Sequence, residues 1–297
     1  MEKQFKEKFL KRYEKLTNIE KLKEYSLKKR RKSIRINTLK ISVNELKERL
    51  SSYDLEQIKW CREGFFIKGE AIGNLLEHNL GYFYMQDAAS MIPAQVLNPR
   101  EDIVLDMCAS PGSKTTQLSM IMKNQGLIIA NDNDYGRLNS LMINLQRCGC
   151  YNTIINLMQG RLIKGNFDKI LVDAPCSGTG IIRKSLETIE TYNPNAVRKC
   201  SGIQRQLILT AFDNLKEDGT LVYSTCSLEP EENEEVIDFL IKNRNCRTEK
   251  IDIDIKRGKP IEDFEGKTYS KEVKNCLRIW PQDNDTEGFF VAKIIKR

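Results

Sequence analysis

Two cysteines stand where apolar runs stop. In LVYSTCSLEPEENEE, residues 221–235, Cys226 closes a strand-like run just before a strongly acidic segment. In FDKILVDAPCSGTG, residues 167–180, a second apolar run delivers Asp173, Pro175 and Cys176 to a Ser/Gly-rich turn. One such cysteine would read as a small buried hydrophobe, because free cysteine is among the most buried residue types. Two of them at the ends of two strands read differently. Catalytic side chains in open α/β sheets collect outside the carboxyl ends of the strands, so the pair marks a candidate active site.

The elements that would position this pair follow a regular alternation. After Pro99 the apolar runs Ile103 to Met107, LIIAND, NTIINLM, FDKILVDAP, TLVYSTC and GFFVAKII read as strands. Helices are expected from Thr115, from Tyr135 to Cys148, near Gln204 to Leu215 and from Glu231 to Lys242. Strands separated by helices of this length imply parallel βαβ units in a twisted sheet covered on both faces. Upstream, Phe5, Phe9, Leu16, Ile19 and Leu22 recur at helical spacing between Glu2 and Leu27, and SIRINTLKI and GFFIKG are strand-like. Residues 1–85 therefore read as a small α+β appendage and residues 86–297 as the main domain.

With 40% hydrophobic and 30% charged residues the 297-residue chain suits a globular fold with a substantial core. It contains no apolar run of about 18 residues for a membrane span, and its charged N-terminus differs from a signal peptide, so the cytoplasm is the expected address. The nine cysteines are scattered, no CxxC pair occurs and His78 is the only histidine, so neither a disulfide scaffold nor a metal site is expected. Residues 1–50 hold 17 Lys/Arg against 7 Asp/Glu, a balance of +10 where the whole chain has +7. That excess, with KKRRK at residues 28–32, suits either a phosphate-contacting surface or a solvated helical face.

The first βα turn of such a sheet normally holds a nucleotide-like cofactor, and here it reads LDMCASPGSKTTQL with Asp106 ending the strand. Ala109, Ser110, Gly112 and Ser113 allow close backbone approach, and the helix that follows offers N–H groups to an anionic group such as a carboxylate. Asp132, ending the second strand, is placed as a ribose-hydroxyl acceptor would be, with Asp134 as its rival. The loop is neither GxGxxG nor GxxxxGK[ST], which favours an adenosyl cofactor with a carboxylate tail over a dinucleotide.

DMCASPGSKTTQL, FDKILVDAPCSGTG, LVYSTCSLEPEENEEVI and the terminal RIWPQDNDTEGFFVAKI together resemble the Nol/Sun (Fmu) family of RNA cytosine-5 methyltransferases, and SIRINTLK and YMQDAASMIPAQVLNP upstream are similar to its segments. The resemblance covers about residues 33–297. It implies a Rossmann-like seven-stranded methyltransferase sheet, S-adenosylmethionine as cofactor, and an RNA substrate. Cys226 would attack carbon 6 of cytosine, and Cys176 would assist release of the enzyme after methyl transfer. Asp173 would contact the base beside the cofactor, with Lys114 near the target base. The thiol suits its part, since addition at carbon 6 makes the electron-poor carbon 5 nucleophilic and only the thiolate attacks effectively.

The same resemblance assigns Cys108, Ala109, Ser110, Pro111, Gly112, Ser113 and Lys114 to the cofactor cradle, Asp132 to the ribose, Asp173 to the methyl-donor end, and Arg137 to the cofactor set. At Gln159, in LMQGRLI, the family usually has an acidic residue that contacts the adenine amino group; glutamine can still accept there through its side-chain oxygen, with weaker affinity expected. The compact chain is similar to archaeal-type members that act on tRNA, so tRNA is the favoured partner, rRNA the runner-up, and a monomer without metal or membrane association is expected. A DNA cytosine-5 enzyme would use the PC cysteine itself as nucleophile, and Cys226 argues for the RNA type. A non-catalytic RNA-binding assembly factor would be expected to lose Cys226, Cys176 or Asp173. A small-molecule methyltransferase would not need the +10 segment.

Overall fold

The computed structural model describes residues 5–297, so residues 2–4 of the expected first helix lie outside the described residues. The amphipathic N-terminal stretch forms two helices, Glu7–Tyr13 and Ile19–Leu27. Four short strands follow: β1 (Ser33–Ile36), β2 (Leu55–Gln57), β3 (Gly64–Ile67) and β4 (Phe83–Met85), paired antiparallel in the order β2-β3-β1-β4. Ile34, Ile36, Phe65, Ile67 and Phe83 of this sheet pack on Leu46 and Leu50. The two N-terminal helices pack elsewhere. Phe9, Tyr13 and Leu22 join Ile182, Ile189, Tyr192, Val197, Leu228 and Trp280, which lie beyond the strand-end cysteines.

The main sheet contains β5 (Ile103–Asp106), β6 (Leu127–Asp132), β7 (Thr153–Leu157), β8 (Phe167–Asp173), β9 (Leu215–Thr225), β10 (Cys246–Glu249), β13 (Leu277–Ile279) and β14 (Phe289–Lys296). A separate two-stranded ribbon joins β11 (Asp263–Phe264) to β12 (Lys267–Thr268). The main order is β10-β14-β9-β8-β5-β6-β7, with β13 also on β14. Strands β5 to β9 are parallel, as the alternation implies, whereas β14 runs antiparallel to β9, and β10 and β13 pair antiparallel with β14. The chain moves from β5 outward to β6 and β7, then returns to β8 on the other side of β5. The carboxyl ends of β5 and β8 therefore flank the switch point, where a crevice must open.

Alternate residues of the central strands face opposite layers. Ile170, Val172, Leu221 and Tyr223 pack with Leu207, Ile208, Phe212, Val236 and Leu240, while Leu171 and Val222 pack with Ile92, Leu97 and Leu118. Two expected helices differ in extent. The one placed near Gln204 to Leu215 is Pro194–Asp213, twenty residues long, started by Asn193, whose side chain accepts from the Asn195 N–H, and by Pro194 in the first turn. Its first half buries little besides Val197 and Ser201, so the apolar period is faint there. The acidic segment after Cys226 begins as a single 3-10 turn, Pro230–Glu232, before the helix Glu234–Asn243.

Candidate active site

Strand β9 ends at Thr225 and β8 at Asp173, and the turns beyond them bring Cys226 and Cys176 together with their sulfurs 3.0 Å apart. Both thiols are free and only partly covered. Two backbone contacts hold the loops at this distance: Gly180 donates its N–H to the Cys226 carbonyl and Gly288 donates to the Gly180 carbonyl, each at 2.9 Å. A Cβ at Gly180 would lie 2.6 Å from the Cys226 oxygen and 2.4 Å from that of Gly288, so only glycine fits there. The neighbouring sulfur is the first cause, and burial the second, that raises the Cys176 pKa well above the ordinary thiol range. Cys176 is thus held as a thiol beside Cys226.

The acidic residues after Cys226 serve this arrangement. Glu232 accepts from the Ser177 N–H at 2.9 Å, from the Ser177 hydroxyl, from Ser227 Oγ at 2.9 Å and from Gln204 Nε2 at 2.8 Å. Gln204 also donates to the Pro175 carbonyl. One buried carboxylate therefore ties both cysteine loops to the long helix. Asn233 bridges Thr225 and the Ser227 carbonyl, and Glu229 takes Arg12 and Tyr13 from the first helix. A buried carboxylate with this many donors is satisfied, whereas an apolar residue would leave the loop N–H and hydroxyl groups without partners.

Asp173 sits between two donors. Lys114 Nζ reaches one oxygen and Ser224 Oγ the other, both at 2.7 Å. The Lys114 ammonium also donates to Ser90 Oγ at 3.0 Å and lies 5.4 Å from the centre of the Phe289 ring. Behind it Arg35, wholly buried, donates to the Ser113 carbonyl at 2.7 Å, to Thr116 Oγ1 at 2.8 Å and to Gln86. Gln86 in turn donates to the Ser90 carbonyl at 3.0 Å. Strand β1 thereby anchors the helix that carries Lys114.

A cavity of about 370 Å³ runs from the first βα turn to the cysteines, lined by Cys108, Ser110, Asp132, Arg137, Asp173, Pro175, Cys176 and Cys226 among others. Within that turn Gly112 has φ of 102° and opens the helix Ser113–Ile121; an added Cβ would press on Leu141 at 3.0 Å. Ala109, Pro111, Gly112 and Ser113 shape the turn without lining the cavity. Asp132 accepts from the Ser110 and Asp134 N–H groups, each at 3.1 Å, and lies 3.6 Å from the half-exposed Arg137, which also donates to the Ser110 carbonyl. The rival Asp134 caps the helix Tyr135–Cys148 through Gly136 and does not line the cavity. Gln159 is exposed, and its side-chain oxygen accepts from Arg161 Nε at 2.9 Å; its neighbour Gly160 reaches the cavity in its place.

Comparison with known proteins turns this geometry into an assignment. Residues 94–295 match the family described as 16S rRNA methyltransferase RsmB/F, and residues 3–88 match the N-terminal domain of 16S rRNA methyltransferase RsmF. The chain belongs to the RsmB/F methyltransferase family. A relative from Pyrococcus abyssi, tRNA (cytosine(49)-C(5))-methyltransferase, is 44% identical over 99% of this chain and 97% of its own. Ribosomal RNA small subunit methyltransferase F of Photobacterium profundum is 42% identical over 90% of this chain, which spans 57% of that protein. A methyltransferase homologue from Pyrococcus horikoshii superposes with a TM-score of 0.89 at 37% identity, covering 99% of this chain and 96% of the other. NSun6 from Pyrococcus horikoshii, solved with SFG, gives 0.82 at 25% identity and 94% coverage of both chains.

Within this RsmB/F methyltransferase the structure adds residues that the sequence did not single out: Ser90, Ser224, Arg35, Gln86, Glu232 and the glycine pair. Among the described residues no group of three or more His, Cys, Asp or Glu is placed to hold a metal ion, and no helix is long and apolar enough to cross a membrane. Asp106, at the end of β5, is fully buried with Thr115 on one oxygen and no partner on the other, and burial raises its pKa to about 7. Its folded value lies above the unfolded one, so its contribution is present below pH 4 and is lost as pH rises through 7. Between pH 5 and 8 this group should cost the wild type about 2–3 kcal/mol of stability that Asp106→Asn does not lose. Urea unfolding at the two pH values measures the difference; equal losses in both proteins would contradict it.

Proposed function

We propose that the chain methylates carbon 5 of a cytosine in tRNA, using S-adenosylmethionine, with the covalent bond to the base made by Cys226. The observation that carries this reading is the pair of thiols 3.0 Å apart at one end of a cavity whose other end is the first βα turn with Asp132. The residues present suit the cofactor. Asp132 offers acceptors for ribose hydroxyls, Cys108 and Ser110 of the turn line the cavity, and the buried Ser110 hydroxyl has no partner within the protein. NSun6 solved with SFG, an analogue of S-adenosylmethionine, points the same way. When bound, S-adenosylmethionine would supply an electrophilic methyl group.

The chain's own residues do the rest. As Cys226 gives up its proton and its sulfur adds to carbon 6, Asp173, hydrogen-bonded to Lys114 and Ser224, relays a proton to ring nitrogen 3, so that the adduct is neutral and enamine-like at carbon 5. Before attack, Cys176 donates its S–H to the Cys226 sulfur. Once that sulfur is bonded to carbon, this hydrogen bond is gone; Cys176 gives its own proton to solvent and, as the thiolate, takes the carbon 5 proton directly or through a water. Loss of that proton drives elimination of Cys226 and restores the aromatic base. The contact between the thiols thus orders the two steps.

Transfer RNA is favoured because the relative that matches end to end acts on tRNA; rRNA is the second reading, supported by RsmF-type relatives that the chain spans only in part. A folded target must present an unstacked cytosine, and the work belongs in the cytoplasm. Labelled S-adenosylmethionine incubated with separated tRNA and rRNA, followed by mapping of 5-methylcytosine, tests the reading. Label at a defined tRNA cytosine supports it; label confined to rRNA, or to neither, overturns it. Gln159 is exposed, bonds to Arg161 and does not line the cavity, so Gln159→Asp should leave S-adenosylmethionine affinity within about threefold of wild type. Titration calorimetry showing binding tightened by about tenfold or more would contradict that placement.

A further inference from the structure

The run Lys28–Lys32 is not a loosely solvated basic tail. Arg183, buried and seven residues beyond Cys176, donates to the carbonyls of Lys28 at 3.4 Å, Lys29 at 3.1 Å and Thr286 at 3.2 Å. The backbone of the run is thereby fixed against the loop that follows the thiols. Lys29, Arg30, Arg31 and Lys32, with Lys68, Asp54, Glu56 and Phe66, line a groove of about 270 Å³ separate from the catalytic cavity. Five cations face two carboxylates there. Lys68 pairs with Asp54 at 2.6 Å and Arg31 with Glu56, while Lys32 donates to the Gly69 carbonyl.

Arg31 has a defined plane. Its guanidinium carbon lies 3.6 Å from the centre of the Phe66 ring, which covers one face, and Glu56 fixes its edge. A guanidinium held flat beside an aromatic ring is a platform on which a nucleobase stacks. Arg30 links this groove to the reaction centre. It also lines a second, smaller cavity with Gln86 and Asp87, and its Nε lies 3.8 Å from Glu287. The next residue, Gly288, bonds to Gly180, which bonds to Cys226. Residues 29–32 are thereby tied to the loop of the reacting thiol through Arg30, Glu287, Gly288 and Gly180.

Resting on the RNA-methylation reading, we propose that this groove binds a single-stranded nucleotide flanking the target cytosine, its phosphates held by Lys29, Arg30 and Lys32 and its base stacked on Arg31. Unstacking one base for reaction frees its neighbours, and a stacking platform recovers part of that loss without reading their identity.

The probe is a fluorescein-labelled twelve-nucleotide single-stranded RNA with a central cytosine, followed by anisotropy against the full chain. Lys29→Glu with Lys32→Glu should weaken binding at least about tenfold at moderate salt. It should also lower the log–log salt slope by about 1.4, the release expected from two phosphates on a single strand. Arg31→Lys, which keeps the charge and loses the plane, should weaken binding roughly fivefold with the slope unchanged. Lys164→Glu, which precedes β8 at the opposite end of the sheet, should leave both quantities within about twofold. Annealing the probe to its complement should weaken binding. An unchanged affinity and slope in the double variant would overturn the groove; Arg31→Lys binding like wild type, or a duplex binding as well as the single strand, would overturn the stacking platform. Methyl transfer by the same proteins separates the two claims. Wild-type KM for RNA in the double variant removes the groove and spares the methylation reading, whereas lost oligonucleotide binding with no RNA methylated by wild type removes the reading and spares the groove.

Discussion

Cys226→Ala is expected to bind S-adenosylmethionine within about threefold of wild type and to lose methyl transfer by about 10⁴-fold or more, as removal of a covalent nucleophile does. Its sulfur has Cys176 as hydrogen-bond partner and lies on the cavity surface, so the substitution leaves no unpaired charge and no large void. Circular dichroism and cofactor titration should therefore match wild type while single-turnover transfer disappears. Retention of more than about a hundredth of the wild-type rate would assign the attack to another group. Cys176 is the evident candidate.

The second large effect concerns Asp173. Asp173→Asn keeps the shape but removes the charge between Lys114 and Ser224, and one amide nitrogen must then face either the Lys114 ammonium or the Ser224 hydroxyl. Loss of about 10³-fold in the single-turnover rate is expected, with RNA affinity changed much less, because an amide cannot relay the proton that ring nitrogen 3 needs only as Cys226 adds. A rate within about tenfold of wild type would show that this proton comes from elsewhere. The buried Lys114 also loses its counter-ion, so a lower urea midpoint should accompany the kinetic loss.

What could be read from the sequence depended on whether a residue's partner was near it in the chain. The apolar runs leading to Asp173 and Thr225 fixed where the two cysteines emerge, and strand alternation after Pro99 fixed the parallel core of the sheet. Asp132 and Asp134 could not be separated by position alone. The structure separates them through the helix cap that occupies Asp134. Arg35 looked like one more cation of a basic N-terminus, yet it is buried because its acceptors on the helix Ser113–Ile121 lie about eighty residues away. Ser90, Ser224 and Glu232 escaped notice for the same reason. The acidic run after Cys226 signalled an unusual loop, but its donors, Ser177, Gln204 and Arg12, were visible only in the fold. Gln159, matched to an adenine contact by resemblance, faces Arg161.

The division of labour between the thiols has one direct test. Cys176→Ala, mixed with S-adenosylmethionine and tRNA and run on a denaturing gel, should accumulate a protein–RNA adduct that carries the transferred methyl group, because Cys226 adds but cannot leave. The same gel should show no adduct for Cys226→Ala. An adduct in Cys226→Ala and none in Cys176→Ala would reverse the assignment and contradict the ordering imposed by the 3.0 Å contact.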